Sequence, residues 1–283
     1  MRKLLDLTFR AAAVLCALLA CLIFGWIVSA IVWRGFSVVN WRFLTEPMRL
    51  AGAEGGIFHN LIGTLILLST ALIVTTPLSV GTALVTAFYI QSERWRRLCL
   101  LCLYVLNGVP SLLFGLFGFI VFVSFFGWGK SWLTGGILLG FMILPTVSVA
   151  LVERLRSLPP LRMEAAAGLG LSRSRIVWFV LLPQCLGGWV SGSFLGLARA
   201  AGETAPILFT ATIFAGASIP SGIKENPVLT LPYHIFILAQ DSFDQAIGGK
   251  VWGTALVLLM LAFCMSLVVL PVRLRIHEEA DHV

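Results

Sequence analysis

Long apolar runs alternate with short polar connections along the whole chain. A helix needs about 20 apolar residues to cross the roughly 30 Å hydrocarbon core of a bilayer. By that measure the pattern predicts six membrane spans, at residues 11–33, 57–90, 98–126, 133–152, 184–212 and 251–272. None of the connections is long enough to form a second domain. We therefore predict a single all-α transmembrane domain that covers residues 1–283.

The third predicted span is interrupted near its middle by Asn107, Gly108 and Pro110. Proline cannot continue the hydrogen-bond ladder of a helix. Non-helical backbone at membrane depth is tolerated only where protein covers it or where it lines a cavity. We therefore predict a hinge at Pro110 that faces the interior of the bundle. A simple proline kink without a functional role is the alternative.

Composition supports a membrane protein. The 283 residues are 59% hydrophobic and 12% charged, and the mean hydropathy is +0.97, whereas soluble domains carry about 25% charged residues. The formal net charge of +7 is not concentrated on a polar domain, which argues against nucleic-acid binding. Most Lys and Arg residues fall on the side that carries both termini and the 153–183 loop, so the positive-inside rule places that side in the cytoplasm.

Catalytic and redox chemistry find little support in the sequence. The six cysteines lie in or beside apolar runs, including the C-x-x-C of Cys99 and Cys102, so we predict no disulfide framework. The four histidines lack metal-ligand spacing. Gly129-Lys130-Ser131 lacks the first glycine of a phosphate-binding P-loop. We therefore predict that the chain is not an enzyme and holds no cofactor, and that any ATP is hydrolysed by another subunit.

The fifth predicted span carries two charges, Arg199 and Glu203. A central arginine costs about 2.5–3.5 kcal/mol on insertion scales, so such residues usually face a cavity or a partner. In a continuous helix, positions i and i+4 share a face and can pair. Pro206 removes the hydrogen bond to the Gly202 carbonyl, which predicts a second hinge beside the charges. The pair either fixes helix register or lines an anion path, since the guanidinium fork suits oxyanions.

Three glycines precede this pair at four-residue intervals, Gly188, Gly192 and Gly196. Such small-residue steps let two membrane helices approach closely. We therefore expect the fifth span to pack tightly against a neighbour.

The 153–183 loop contains Glu164, Ala165 and Ala166, which favour a helix, and Gly170, which favours a turn. A second short helix is predicted from about Ser172 to Pro183. Small alanines would let another protein approach this surface closely. An ordinary amphipathic cytoplasmic helix is the alternative.

The spacing of these residues resembles the EAA loop of ABC importer membrane subunits. Leu182 and Pro183 also match that pattern, and Val180 stands where the family has isoleucine. The resemblance implies a type I importer-like permease fold. It also implies that this loop couples to an ATP-hydrolysing subunit through Glu164, Ala165, Ala166 and Gly170, with Glu164, Ala165 and Gly170 at the contact.

The fifth span is similar to the R-x-x-G-E-T-A-P signature of phosphate ABC transporter permeases, in Arg199, Gly202, Glu203, Thr204, Ala205 and Pro206. Residues 63–65, 108–111, 115–119 and 144–145 resemble the same A-type subunit. The resemblance implies a phosphate importer in the bacterial inner membrane, with Arg199, Glu203 and Thr204 in the substrate path. It implies a C-type permease, two ATPase subunits that bind ATP and magnesium, and a periplasmic phosphate-binding protein as partners.

Glu203 suggests a basis for substrate choice. A carboxylate beside Arg199 would repel fully ionised sulfate but could accept a hydrogen bond from phosphate, which keeps a proton near neutral pH.

Three alternatives stay open: a permease for sulfate or molybdate, a self-sufficient anion channel or secondary transporter, and a membrane-embedded enzyme. The EAA spacing argues against a channel, which needs no ATPase dock.

Overall fold

The computed structural model describes residues 2–49, 52, 54–213, 219–220, 222–240 and 245–281. Apart from one antiparallel pair of two-residue strands, the regular structure in these ranges is helical. The elements are α1 (Arg2–Phe36), α2 (Trp41–Thr45), β1 (Met48–Arg49), β2 (Glu54–Gly55), α3 (Phe58–Leu84), α4 (Glu93–Asn107), α5 (Ser111–Gly118), α6 (Trp132–Arg156), α7 (Pro160–Gly168), α8 (Arg173–Ile176), α9 (Leu182–Ala201), α10 (Ala205–Thr210), α11 (Leu231–Gln240) and α12 (Gln245–Asp281). Three segments of π-helix continue α3, α5 and α8, at Val85–Tyr89, Phe119–Phe125 and Val177–Leu181.

Five helices in the described part of the chain are long and apolar enough to cross a membrane, or six if one bent pair counts as a span. The predicted all-α polytopic fold is therefore confirmed. The five helices are Thr8–Phe36, Phe58–Tyr89, Trp132–Arg156, Arg173–Ala201 and Ile247–Pro271.

The third predicted span is two helices rather than one. α4 ends at Asn107, α5 begins at Ser111, and the chain bends by 89° between them. Pro110, whose ring cannot donate to the ladder, occupies the N-cap position of α5. The sequence therefore located the break correctly, but the bend is sharper than a hinge within one helix. The predicted orientation is wrong for this chain, because Asn107, Gly108 and Pro110 are exposed rather than turned into the bundle.

The fifth predicted span needs correction at both ends. Its helix begins at Arg173, because α8, a π-helical segment and α9 run on without interruption to Ala201. The separate short helix predicted before Pro183 is therefore wrong. The helix also stops at Ala201 and does not continue through Pro206, which lies in the short α10.

The fourth span, α6, is the centre of the bundle. Its most apolar 18-residue window is 67% buried, against 0% for α1, and it packs between α3 and α9. A Cβ on Gly188 would lie 2.7 Å from Cβ of Arg154, and one on Gly196 would lie 3.1 Å from Cβ of Ile143. The expected close packing at the glycines is therefore present, and α9 runs antiparallel to α6.

Between the fifth and sixth spans, a polar connection was expected, but the structure forms α11 there. Its first turn is buried, including Leu231 and His234. Thr64 in α3 accepts a hydrogen bond from the backbone N–H of Leu231 at 2.9 Å. This contact fixes the start of α11 against the second span.

Candidate functional site

Arg199 lies in the last turn of α9 and contacts two other polar side chains. Its Nη1 donates a hydrogen bond to Oδ1 of Asn107 at 2.8 Å. Its Nε lies 3.7 Å from Oε1 of Glu203. The side chain of Arg199 is 41% exposed and that of Glu203 only 18%. A cation in the last turn also interacts favourably with the helix dipole.

Glu203 reaches Arg199 from outside the helix. The backbone N–H of Glu203 donates to the Ala200 carbonyl at 3.1 Å, which folds the chain back tightly after α9 ends. The predicted pairing of the two charges is therefore present, but a turn produces it rather than a shared helix face. Glu203 also lines a cavity of about 10 Å³ with Thr64 and Thr230, which is room for roughly one water molecule.

Pro206 does not act as a hinge in a continuous helix. It lies in the first turn of α10, where a missing N–H costs nothing, and it is buried. Thr204 occupies the N-cap position without a side-chain cap bond. The described residues include no hydrogen bond from the Thr204 side chain to Arg199 or Glu203. Its predicted place in the substrate path stays a prediction.

A cavity of about 230 Å³ lies between α4, α6 and α9. Its wall on α6 extends from Pro145 to Glu153, about 12 Å at 1.5 Å per residue. Because α9 runs antiparallel to α6, Arg199 lies at the end remote from Glu153. The lining residues are Leu103, Tyr104, Asn107, Pro145, Thr146, Val149, Ala150, Glu153 and Leu195.

Asn107 connects this cavity to Arg199, since it lines the cavity and accepts the hydrogen bond from the guanidinium. Sequence reasoning identified Asn107 only as part of the helix break. A neutral amide near a proline is common in turns, so the residue type carried no signal. Its partner is 92 residues away in the sequence.

The 153–183 loop contains the predicted helix, α7, and a well-defined turn after it. The N–H of Leu171 donates to the Ala166 carbonyl at 3.2 Å, and the N–H of Gly170 donates to the Ala167 carbonyl at 2.9 Å. Gly170 has φ +77°. Together these features form a Schellman motif, in which glycine adopts the left-handed conformation just past the helix end.

The two faces of α7 differ. Ala166 is 6% exposed and packs in a buried cluster with Leu155 and Ile176. Glu164, Ala165 and Gly170 are exposed. The structure therefore assigns Ala166, predicted as one of the four coupling residues, to internal packing, while the three residues predicted at the contact are exposed. Two apolar side chains that sequence reasoning missed are exposed on this loop, Leu161 at 72% and Leu169 at 84%.

Residues 76–276 match the family described as "Binding-protein-dependent transport system inner membrane component". The match covers most of the bundle, both parts of the bent pair and the α7 loop. The chain belongs to this family. As a family member it is a component of a membrane transport system rather than an enzyme, as the sequence predicted.

Two relatives illustrate the similarity of this permease to named proteins. It is 31% identical over 210 residues to the probable ABC transporter permease protein YqgI of Bacillus subtilis, covering 74% of this chain and 71% of that one. It is 31% identical over 255 residues to the phosphate transport system permease protein PstA 2 of Mycobacterium tuberculosis, and this match covers 87% of this chain and 83% of that one. The predicted resemblance to A-type phosphate permeases is therefore confirmed.

A solved structure supports the fold. The permease is similar in structure to a chain of the MetNI methionine ABC transporter in an inward-facing conformation, with a TM-score of 0.54 at 15% sequence identity. The match covers 77% of this chain and 94% of that one. At that identity the likeness shows the fold alone. The predicted type I importer-like architecture is confirmed.

Proposed function

We propose that this permease is the A-type membrane subunit of an ATP-driven importer of inorganic phosphate in the bacterial inner membrane. It forms half of the translocation path. Its partners are a C-type permease, a periplasmic phosphate-binding protein and two ATPase subunits that hold ATP and magnesium. The names of its PstA relatives support the substrate.

The position of Arg199 carries this proposal. A guanidinium has five N–H donors. One is bonded to Asn107, and Nε faces Glu203, which leaves the other donors on Nη1 and Nη2 without a partner among the described residues. This planar edge matches two oxygens of a tetrahedral oxyanion. Asn107, to which this guanidinium is bonded, lines the cavity between α4, α6 and α9.

One continuous helix supports coupling between the loop and this arginine. Arg173 follows the Schellman turn closely, and the helix that starts there ends two residues after Arg199. At 1.5 Å per residue it is about 43 Å long. A displacement of α7 by an ATPase subunit would therefore move the helix that carries Arg199. The exposed Glu164, Ala165 and Gly170 are the proposed contact surface.

The test is uptake of radiolabelled phosphate at low external phosphate, in cells that lack other phosphate importers. Wild type, Arg199→Gln and Gly170→Asp are compared, with the amount of each in the membrane measured. Arg97→Gln is the matched control, because Arg97 is a 79% exposed arginine on α4 that pairs with Glu93 in the part of the chain that the structure describes. We expect both site variants to lose uptake and the control to keep it.

Two further measurements separate this function from its alternatives. Unlabelled sulfate or molybdate in excess would suppress uptake if the permease carried those oxyanions. Uptake that persists without the ATPase subunits would indicate a channel or a secondary transporter. Normal uptake by Arg199→Gln would show that the ion pair is structural.

A further inference from the structure

The side-chain amide of Asn107 has one chemically possible orientation toward Arg199. Arginine has only donors, so the atom of Asn107 that faces Nη1 of Arg199 must be the carbonyl oxygen, Oδ1. The Nδ2 amine is therefore directed elsewhere. Asn107 is exposed, and no acceptor for Nδ2 occurs among the described residues.

Backbone geometry keeps Asn107 at the end of the cavity remote from Glu153. It is the last residue of α4, and the N–H of Gly108 closes the helix by donating to the Tyr104 carbonyl at 3.1 Å. Leu103 and Tyr104, one turn earlier on the same face, line the same cavity. The cavity is thus lined by an asparagine whose Oδ1 is already bonded to Arg199 and whose Nδ2 has no acceptor among the described residues.

We propose that Asn107 is a phosphate-positioning residue with two roles, an inference that rests on the proposed function. Oδ1 accepts one N–H of Arg199 and holds the guanidinium edge toward the cavity. The two N–H groups of Nδ2 donate to the oxyanion that this edge binds. An uncharged donor orients phosphate without adding a second positive charge, so the site can release its ion.

The two roles are separable by substitution. Asn107→Asp keeps an acceptor for Arg199 and removes both donors, but it also adds a negative charge. The double variant Asn107→Asp/Glu203→Gln restores the original total charge around Arg199. If Asn107 served only to hold Arg199, this double variant would transport as well as wild type, which has the same total charge, or at worst as well as Glu203→Gln alone. If Nδ2 binds the anion, the double variant fails.

The experiment uses the complete transporter in proteoliposomes with phosphate-loaded binding protein. It measures radiolabelled phosphate accumulated per ATP hydrolysed. We expect the double variant to have a ratio at least about tenfold below those of both wild type and Glu203→Gln, since a hydrogen bond to a charged group is lost, while its ATP hydrolysis stays within about twofold. Asn107→Ser, which keeps one donor, should be intermediate.

Asn40→Asp is the matched control, because Oδ1 of Asn40 caps α2 by accepting the Phe43 N–H at 2.8 Å. Aspartate can make that bond equally well, so no change is expected. A double variant with the ratio of either wild type or Glu203→Gln would overturn the inference. So would a parallel loss of ATP hydrolysis, which would indicate that Asn107 only maintains the helix break. A wild-type complex that moves no phosphate would instead refute the proposed function.

Discussion

Gly115 and Pro206 pack backbone to backbone, although 91 residues separate them. A Cβ on Gly115 would lie 3.0 Å from Cα of Pro206 and 2.9 Å from the Ala205 carbonyl oxygen. The 89° bend after Asn107 turns α5 toward α10, and this contact joins the two. The break in the third span and the break after the fifth span therefore support each other beside Arg199.

Gly115→Ala should separate α5 from α10, because its methyl group would meet backbone atoms that cannot rotate away. We expect a loss of about 1–3 kcal/mol in stability, as for other overpacked sites, and a lower apparent unfolding temperature in detergent. Gly81→Ala is the control, since a Cβ there meets nothing within 4 Å. Equal unfolding temperatures for the two variants would contradict the described contact.

The turn after α7 gives a second prediction. Gly170→Ala forces a left-handed backbone on an L-residue, at a cost of roughly 1 kcal/mol, and should loosen the Schellman motif. We expect a reduction of several-fold in ATP hydrolysis stimulated by the binding protein. Asn tolerates this conformation better, so Gly170→Asn should be milder.

Gly168→Ala is the matched control for the turn. Gly168 is the last residue of α7, is exposed, and has no atom within 4 Å of a Cβ. Alanine favours helix at such a position, so coupling should be unchanged. If both glycine variants reduced ATP hydrolysis equally, surface contact rather than backbone conformation would be the cause.

Hydropathy alone predicted most of the bundle, because span length is a property of the bilayer rather than of packing. It could not predict how the chain accommodates proline. At Pro183 the helix continues after a π-helical segment, whereas at Pro206 the helix has already ended at Ala201. Both prolines looked alike in sequence. The difference depends on tertiary partners such as Gly115.

The candidate site was predictable only where charge revealed it. Arg199 and Glu203 are conspicuous in an apolar run because burying a charge is costly. Asn107 and the cavity wall from Pro145 to Ala150 are not, since neutral and apolar residues are ordinary in a span. The fate of Ala166 was also hidden, because a short helix of small residues does not reveal which face is buried.

His234 predicts a dependence of stability on pH. It is 4% exposed in α11, and burial, with a smaller effect from the positive charge of Lys250, lowers its pKa to about 4 from 6.5. Between these values the unfolded chain binds a proton that the folded chain does not. The contribution of neutral His234 to the free energy of unfolding is therefore fully present above about pH 6.5. It is lost as the pH drops toward 4, and the loss is about 3 kcal/mol at most.

His234→Gln should flatten this dependence. The measurement is the apparent unfolding temperature in detergent at pH 7.5 and pH 5, with His59→Gln as the control because His59 is only half-buried. We expect wild type and the control to lose stability at pH 5 by similar amounts, and His234→Gln to lose less. The same loss in all three would assign the acid sensitivity to other groups.

Glu203 predicts substrate selectivity. Its carboxylate lies 3.7 Å from Arg199 and is 18% exposed, so water screens its charge only partly. Fully ionised sulfate cannot donate a hydrogen bond to it and would be repelled, whereas protonated phosphate can donate one. Glu203→Gln removes the repulsion and leaves an amide in its place. We expect sulfate entry to rise by about tenfold. This is the factor that corresponds to gaining or losing one interaction as strong as a hydrogen bond to a charged group.

The measurement is uptake of labelled sulfate and labelled phosphate by the complete transporter with its binding protein, on which this family depends, at sulfate in large excess so that sulfate reaches the path during turnover. Glu225→Gln is a suitable control, because Glu225 is an exposed carboxylate that lies against Gly129. Unchanged sulfate entry together with normal phosphate transport in Glu203→Gln would show that Glu203 only holds Arg199. In that case Arg199 and Asn107 alone would have to distinguish the two anions.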